Sequence, residues 1–363
     1  ATTIDWIFAP NFAVAKNLNW GRTYESYSEC TDIINTYAPV IINNLQLNSP
    51  DDGVLAAVKH WVGDGGTSYG IDQGNTIIDW ATLEEEHIAP FKHAIAAGAL
   101  TIMASFSSWN GNKCHGHKYL LTTVLKEKMQ CSGFILSDMD AIDYLSNDFY
   151  QSIGMSVNAG IDMFMVPNNW KDFISHLHSH VELGTVSIGR INDAVRRILS
   201  VKYKIGLFDK PRPQQRKWAN HQSFGSKEHR LIAQKAVRKS LVLLKNENNI
   251  LPLNSNSNIL VTGRNADNIG HQCGGFTIDW QGVCGNKYIS GGTSIWQGIS
   301  EKAANAQHIE DITKLKDFSQ FDVAVVVIGE RTYAEGMGDI RSNNNVLVRS
   351  GSLVNGQVNI IKP

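Results

Sequence analysis

A chain of 363 residues predicts two or three domains at about 100–200 residues each. Hydrophobic residues make up 42% and charged residues 18%, which excludes a disordered or fibrous chain. With 33 Lys and Arg against 34 Asp and Glu, the net charge of −1 gives no electrostatic reason to bind nucleic acid or an anionic membrane.

Up to residue 206, short β-rich apolar segments alternate with helical patterns. Strands are expected at residues 6–9, 54–58, 100–106, 133–137 and 162–166. Thr82-Leu-Glu-Glu85 reads as a capping box opening a helix towards Gly98, and residues 188–203 as an amphipathic helix stopped by Gly206. This alternation predicts a parallel sheet covered by helices. Polar residues gather just past the strands (Lys59-His60, Ser107-Ser-Trp-Asn110, Asp138, Pro167-Asn-Asn169), where parallel α/β folds place their chemistry. About five βα units can be counted, whereas a closed barrel has eight. Pro211-Arg-Pro213-Gln-Gln-Arg-Lys217 reads as an exposed linker within 207–225, separating a domain over 1–206 from a second α/β unit over 226–363. In that unit, helices are expected at 226–239 and 293–304, strands at 240–244 and 258–262, and a buried strand at 322–328. From Ile340 onward the chain is rich in Asn, Ser and Gly, and no element is assigned. The longest apolar runs fall far short of the roughly 20 residues of a membrane span. No charged-then-apolar leader precedes Ala1, so a secretion signal is expected to be absent or already removed.

The five cysteines include no C-x-x-C pair, so no structural metal site is expected. Cys273 and Cys284 enclose a Gly-rich loop and read equally well as a disulfide or as two reduced thiols.

Several constellations could carry chemistry. The apolar run 133–137 delivers Asp138 to a strand end. The plainer alternative is a helix cap by Asp138 or Asp140, and a rival is the D-x-D of Mg²⁺-dependent phosphatases with an aspartyl nucleophile. Lys59-His-Trp-Val-Gly-Asp-Gly-Gly-Thr67 sets two donors beside a turn that permits close backbone approach; a satisfied structural Lys-His pair is the alternative. Glu330 and Glu335 stand on the loop after 322–328, either as a carboxylate offered to a neighbouring domain or as solvated side chains. Trp20-Gly-Arg22-Thr-Tyr24-Glu25-Ser-Tyr27 mixes rings with hydrogen-bonding groups, the combination sugars need because their C–H faces stack while their hydroxyls seek polar partners. Cys273-Gly-Gly-Phe276-Thr-Ile-Asp-Trp280-Gln-Gly282 presents two aromatics on a loop, or buries the Trp structurally.

In their order along the chain, these segments resemble glycoside hydrolase family 3, especially its β-glucosidase and exo-1,3/1,4-β-glucanase branch. The likeness is carried by residues 19–29, 59–67, 105–111 (SFSSWNG), 133–143, 160–167, 238–246, 274–282 and 329–335. It implies an α/β fold: a TIM-type (β/α)8 barrel, partial in this sequence, followed by an α/β sandwich. It also implies retaining, exo-acting release of glucose from a β-glucoside or β-glucan oligosaccharide, without metal or cofactor. Asp138 would be the nucleophile and Glu335 the acid/base, their carboxyls roughly 5–5.5 Å apart. Arg22, Lys59 and His60 match positions that grip hydroxyls of the terminal sugar. Trp280 matches an aromatic wall of the adjoining subsite, and Phe106 and Met139 complete the expected substrate-binding set. The family acts on external glucans, which implies a secreted, periplasmic or other extracytoplasmic location.

Met139 stands where the exo-glucanase branch has a Trp, so the aromatic clamp is half missing and linkage preference does not carry over. Ala1 aligns well inside the barrel, so about three βα units are expected to be missing, along with a family Asp that binds sugar hydroxyls. The second domain is expected to be abbreviated after Asp339. A second chain or a further segment would complete the barrel; without it, a bare sheet edge and apolar surface are expected. The alternative is a non-catalytic, truncated relative with a sugar-binding or structural role.

Overall fold

The computed structural model describes residues 3–47 and 52–340, so the expectations for the tail beyond Ile340 lie outside the described residues. Two compact units form: residues 3–224 with 338–340, and Gly225–Met337.

In the first unit, β1 (Trp6–Ile7), β2 (Leu55–Trp61), β3 (Thr101–Ala104) and β4 (Phe134–Leu136) form a parallel sheet in that spatial order. Between them run α1 (Thr31–Gln46) and α2 (Ala89–Ala96). Strand side chains alternate between two buried clusters. Ala56, Val58, Ile102 and Ile135 meet Ile34, Ala38 and Ile42 of α1 and Phe91 of α2. Leu55, Met103, Phe134 and Leu136 gather on the other face with Val201. With both faces covered, the strands read as apolar runs, not as alternation. Gly133 lacks a side chain for a local reason: a Cβ there would collide with the Leu100 carbonyl, which accepts the Phe134 N–H.

Two sequence expectations are corrected here. Residues 162–166 contribute only a parallel bridge, Met163 to Leu136. The ladder stops because the Met165 N–H turns to Ser137 Oγ, at 2.8 Å. The helix expected from Thr82 starts earlier, at Trp80, with Asp79 Oδ1 accepting the Thr82 N–H at 2.8 Å. An ionised carboxylate at a helix N-terminus is a better cap than the Thr hydroxyl expected there.

Three further helices follow, α3 (Phe149–Ala159), α4 (Trp170–Glu182) and α5 (Ile188–Lys204). Ser187 caps α5, and Gly206 turns the chain away in the left-handed region, as expected. The helix leaves Ile188, Leu199 and Tyr203 exposed. A partly buried charge network of Lys126, Asp162, Arg190, Asp193 and Arg197, centred on the buried Asp162, locks α5 to the sheet, with Arg197 Nη1 donating to the carbonyls of Cys131 and Gly133. Residues beyond α5 stay tied to this unit through Lys210 and Arg216, both paired with Asp5.

In the second unit, β5 (Ile259–Thr262) lies between β6 (Gln307–His308) and β7 (Val323–Val326), all parallel. The helices are α6 (Lys227–Ser240), α7 (Ile269–Cys273) and α8 (Ile295–Ser300); α8 opens on a capping box of Ser294 and Gln297. Ile259, Val261, Ala266 and Ala303 form the core with Trp296 and Val325. The strand expected at 240–244 is not formed. Leu241 to Leu244 are exposed and join no sheet among the described residues. The strand expected to be buried at 322–328 lies at the edge of the sheet among the described residues, packed through Val323 and Val325 while Val326 faces out. All five cysteines are free. No helix among the described residues is long and apolar enough to cross a membrane.

Candidate active site

Two strand ends and one turn build the first-unit site. β2 runs into Lys59 and His60, and Asp138 lies two residues past β4. The turn Gly21–Glu25 brings Arg22, whose Nε and Nη2 fork onto the Glu25 carboxylate at 2.6 and 2.9 Å. Arg22 Nη2 also stands 3.4 Å from His60 Nε2, and His60 Nδ1 lies 2.7 Å from Asp64 Oδ2. Two hydrogen bonds fix Asp138, and His60 stands near it. The Asp138 N–H donates to His115 Nε2 at 2.8 Å, its Oδ1 accepts the Met139 N–H at 2.7 Å, and its Oδ2 lies 3.9 Å from His60 Nε2. Solvent still reaches 20% of the Asp138 side chain, against 4% of His60, so this carboxylate opens to the outside of a largely buried cluster.

Asp339 braces the same region. Its two carboxylate oxygens accept the N–H groups of Gly21 and Asp72, both at 2.8 Å, and its side chain is fully buried. Trp20 Nε1 donates to Asp72 Oδ1 at 3.1 Å.

Burial and charge set the ionisation of the cluster. Burial pushes the Asp138 carboxyl up, Asp72 adds to this, and Arg22, the Met139 N–H and Lys59 oppose it. Glu25 is also pushed up by burial, but the Arg22 fork, His60 and Lys59 outweigh that and hold it low. Burial lifts Asp64 to about 7. His60 is driven well down by burial and by the positive charge of Arg22 and Lys59. His115 falls to about 3, chiefly through burial. It is therefore neutral at ordinary pH, with Nε2 free to accept the Asp138 N–H.

A pH dependence of stability follows. Burial also drops His87 to about 4. An unfolded histidine takes its proton near pH 6.5, and these two do not while folded, so acid favours the unfolded chain between those values. Asp64 acts the other way, because it binds its proton in the folded state from about pH 7 downward. His60, driven well down as well, acts with His115 and His87, while the raised Asp138 acts with Asp64; three buried histidines carry the larger effect, so the melting temperature should fall between pH 7 and 5. His115→Gln should show a shallower slope in thermal melts, and an equal or steeper slope would count against the assignment.

In the second unit, residues 273–282 run beside 333–335. Gly275 allows this approach, since a Cβ there would strike the Tyr333 carbonyl. Gln281 Oε1 accepts the Ala334 N–H at 2.7 Å, and its Nε2 donates to the Glu335 carbonyl at 3.1 Å. Trp280 is 52% exposed, so it is no structural core Trp. Glu330 is exposed and accepts the Tyr333 hydroxyl.

Of the residues expected from sequence, Arg22, Lys59, His60, Phe106, Asp138 and Met139 belong to the first unit, and Trp280 and Glu335 to the second. Arg22, His60 and Asp138 stand together, and Lys59 acts on them through its charge. The Phe106 ring lies edge-on to His115, with centroids 6.4 Å apart, and Met139 is exposed beside Asp138. The capping alternative does not describe Asp138. It is Asp140 that precedes the short turn Ala141–Tyr144, in a left-handed conformation and without a side-chain cap. Sequence reasoning assigned no role to Glu25, Asp64, Asp72, His115 and Asp339. Glu25 was findable from its spacing of three from Arg22, and Asp64 from its spacing of four from His60. The other three are recruited by contacts distant in sequence.

The family model for the glycosyl hydrolase family 3 N-terminal domain matches residues 1–201, and that for its C-terminal domain matches residues 241–358. A lysosomal beta-glucosidase of Dictyostelium discoideum is 33% identical over 94% of this chain and 45% of its own. A periplasmic beta-glucosidase of Salmonella typhimurium is 28% identical over 73% of this chain and 35% of its own. Among solved structures, an exo-1,3/1,4-beta-glucanase from a Pseudoalteromonas species superposes with a TM-score of 0.88. It is 42% identical over 93% of this chain and 43% of its own length. The chain thus spans less than half the length of each of these relatives. Membership removes the ground for the phosphatase reading of Asp138-Met-Asp140. The chain belongs to glycosyl hydrolase family 3, as part of a TIM-type barrel followed by an α/β sandwich.

Proposed function

We propose that this chain carries the reacting groups of a retaining, exo-acting β-glucosidase or β-glucan glucohydrolase. The observation that carries the reading is Asp138 itself: a strand-end carboxylate with a pinned backbone, one oxygen held by Met139 N–H and the other directed towards a cationic, donor-rich cluster. Arg22 and Lys59 favour its ionised form against the cost of burial, as a nucleophile requires. Asp138 attacks the anomeric carbon while the glycosidic C–O bond breaks and Glu335 gives its proton to the leaving oxygen. Glu335 then takes a proton from water, whose oxygen displaces the Asp138 carboxylate and releases glucose.

In this reading Arg22, Lys59 and His60 bind hydroxyls of the terminal glucose, while Trp280, Met139 and Phe106 line the path of the remaining chain. Met139 offers a flexible thioether where a second ring would clamp the next sugar, so aglycone preference is broad. In this reading the barrel domain covers 1–206 and the sandwich domain 226–363 with the linker between them, the return of residues 338–340 to the first unit being a contact made by the second domain's sequence. The lysosomal and periplasmic relatives support an extracytoplasmic location.

The test compares leaving groups on Glu335→Ala in the full-length protein. Loss of a general acid costs about 10²–10⁴-fold where the leaving group needs a proton. Hydrolysis of laminaribiose should fall by that order, while glycosylation by 2,4-dinitrophenyl β-glucoside should change little and azide should restore turnover as β-glucosyl azide. A uniform loss across leaving groups, without azide rescue, would remove Glu335 from this role.

A further inference from the structure

Cys284, His271 and Asn265 form a second cluster of chemical groups, separate from the residues assigned above. His271 Nε2 lies 3.1 Å from Cys284 Sγ, and His271 Nδ1 lies 3.0 Å from Asn265 Oδ1. The Asn265 amide nitrogen is directed to the Glu330 carbonyl, which leaves its oxygen facing the ring. Nδ1 therefore carries the proton, and the Nε2 lone pair points at sulfur. The residue is held in place because its backbone N–H donates to Asn268 Oδ1, the same oxygen that accepts the Gly285 N–H. Burial, Arg264 and Arg331 depress the His271 pKa, which keeps the ring unprotonated and able to accept a proton. Cys284 is exposed. A thiol, an imidazole and an orienting amide in this order form the arrangement that activates sulfur nucleophiles.

We propose that Cys284 is an activated thiol and the site at which small disulfides modify this protein. The Cys284 sulfur attacks one sulfur of a low-molecular-weight disulfide. A new S–S bond forms to Cys284, the old one breaks, and the departing thiolate takes the proton that His271 Nε2 received from Cys284.

Cys30 and Cys273 are also exposed and serve as internal references, and buried Cys114 and Cys131 report any unfolding. The intact protein is treated with 4,4′-dithiodipyridine at pH 7, and each cysteine's rate is read by peptide mass mapping. Cys284 should react about tenfold faster than Cys30 or Cys273, and His271→Gln should bring it down to their rate while theirs stay constant. If His271→Gln exposes Cys114 and Cys131, Asn265→Ala takes its place and should slow Cys284 alone. A Cys284 rate no greater than that of Cys30, or one unchanged by the substitution in a folded variant, overturns the proposal.

Discussion

Asp138→Asn should abolish hydrolysis of aryl β-glucosides by the full-length protein, with kcat down by roughly 10³–10⁵-fold, as when other covalent nucleophiles are removed. The substitution is nearly isosteric. The amide oxygen can still accept the Met139 N–H, and the backbone N–H still meets His115, so the local fold has no reason to change. What disappears is the anionic oxygen that attacks carbon. Binding of glucose should persist, because Arg22, Lys59 and His60 are untouched. A 2-deoxy-2-fluoroglucoside with a good leaving group should label the Asp138 peptide of the unaltered protein. Retention of more than about a tenth of the activity in the variant, or labelling of a different carboxylate, would refute the assignment of Asp138.

The parallel sheet was legible because its strands are buried on both faces, which writes a run of apolar residues into the chain. Residues 54–58, 100–106 and 133–137 each hold a strand. The pattern overreached where it saw apolar character without knowing the neighbour. Leu241-Val-Leu-Leu244 has strand composition, but a strand exists only when another pairs with it. Asp162 illustrates the opposite case. It reads as the start of a strand, yet its side chain takes the Ile135 N–H and the charges of Lys126 and Arg190.

The site divides in the same way. Residues at strand ends were visible from sequence, since the end of an apolar run marks where a polar side chain can face out. His115 was not, because its part is to accept one backbone N–H from Asp138, a contact 23 residues away in the chain. Asp339 was hidden more deeply, joined to Gly21 across 318 residues.

Asp162→Ala is expected to give the largest loss of stability in the first unit, about 3–5 kcal/mol. The Asp162 side chain is fully buried. Its Oδ1 accepts Lys126 Nζ at 2.7 Å and the Arg190 guanidinium, and its Oδ2 accepts the Ile135 N–H at 2.8 Å. Truncation leaves Lys126 and Arg190 with only the partly exposed Asp193 to pair with and a strand N–H without an acceptor, and an under-compensated buried charge costs more than the pair contributed. Two comparisons separate this cause from simple loss of packing. Asp162→Asn keeps the volume and one acceptor oxygen but turns an NH₂ donor towards the other partner, so it should still destabilise, though less than the alanine variant. Lys126→Met placed on Asp162→Ala removes one of the stranded charges and should recover part of the loss. Glu84→Ala breaks an exposed pair with Lys92 and should change stability by about 0–1 kcal/mol. Urea unfolding followed by a first-unit probe such as Trp6, whose Nε1 donates to Thr101 Oγ1 at 2.9 Å, measures all four variants. If Asp162→Ala unfolds at the same urea concentration as Glu84→Ala, the network is not what holds α5 to the sheet.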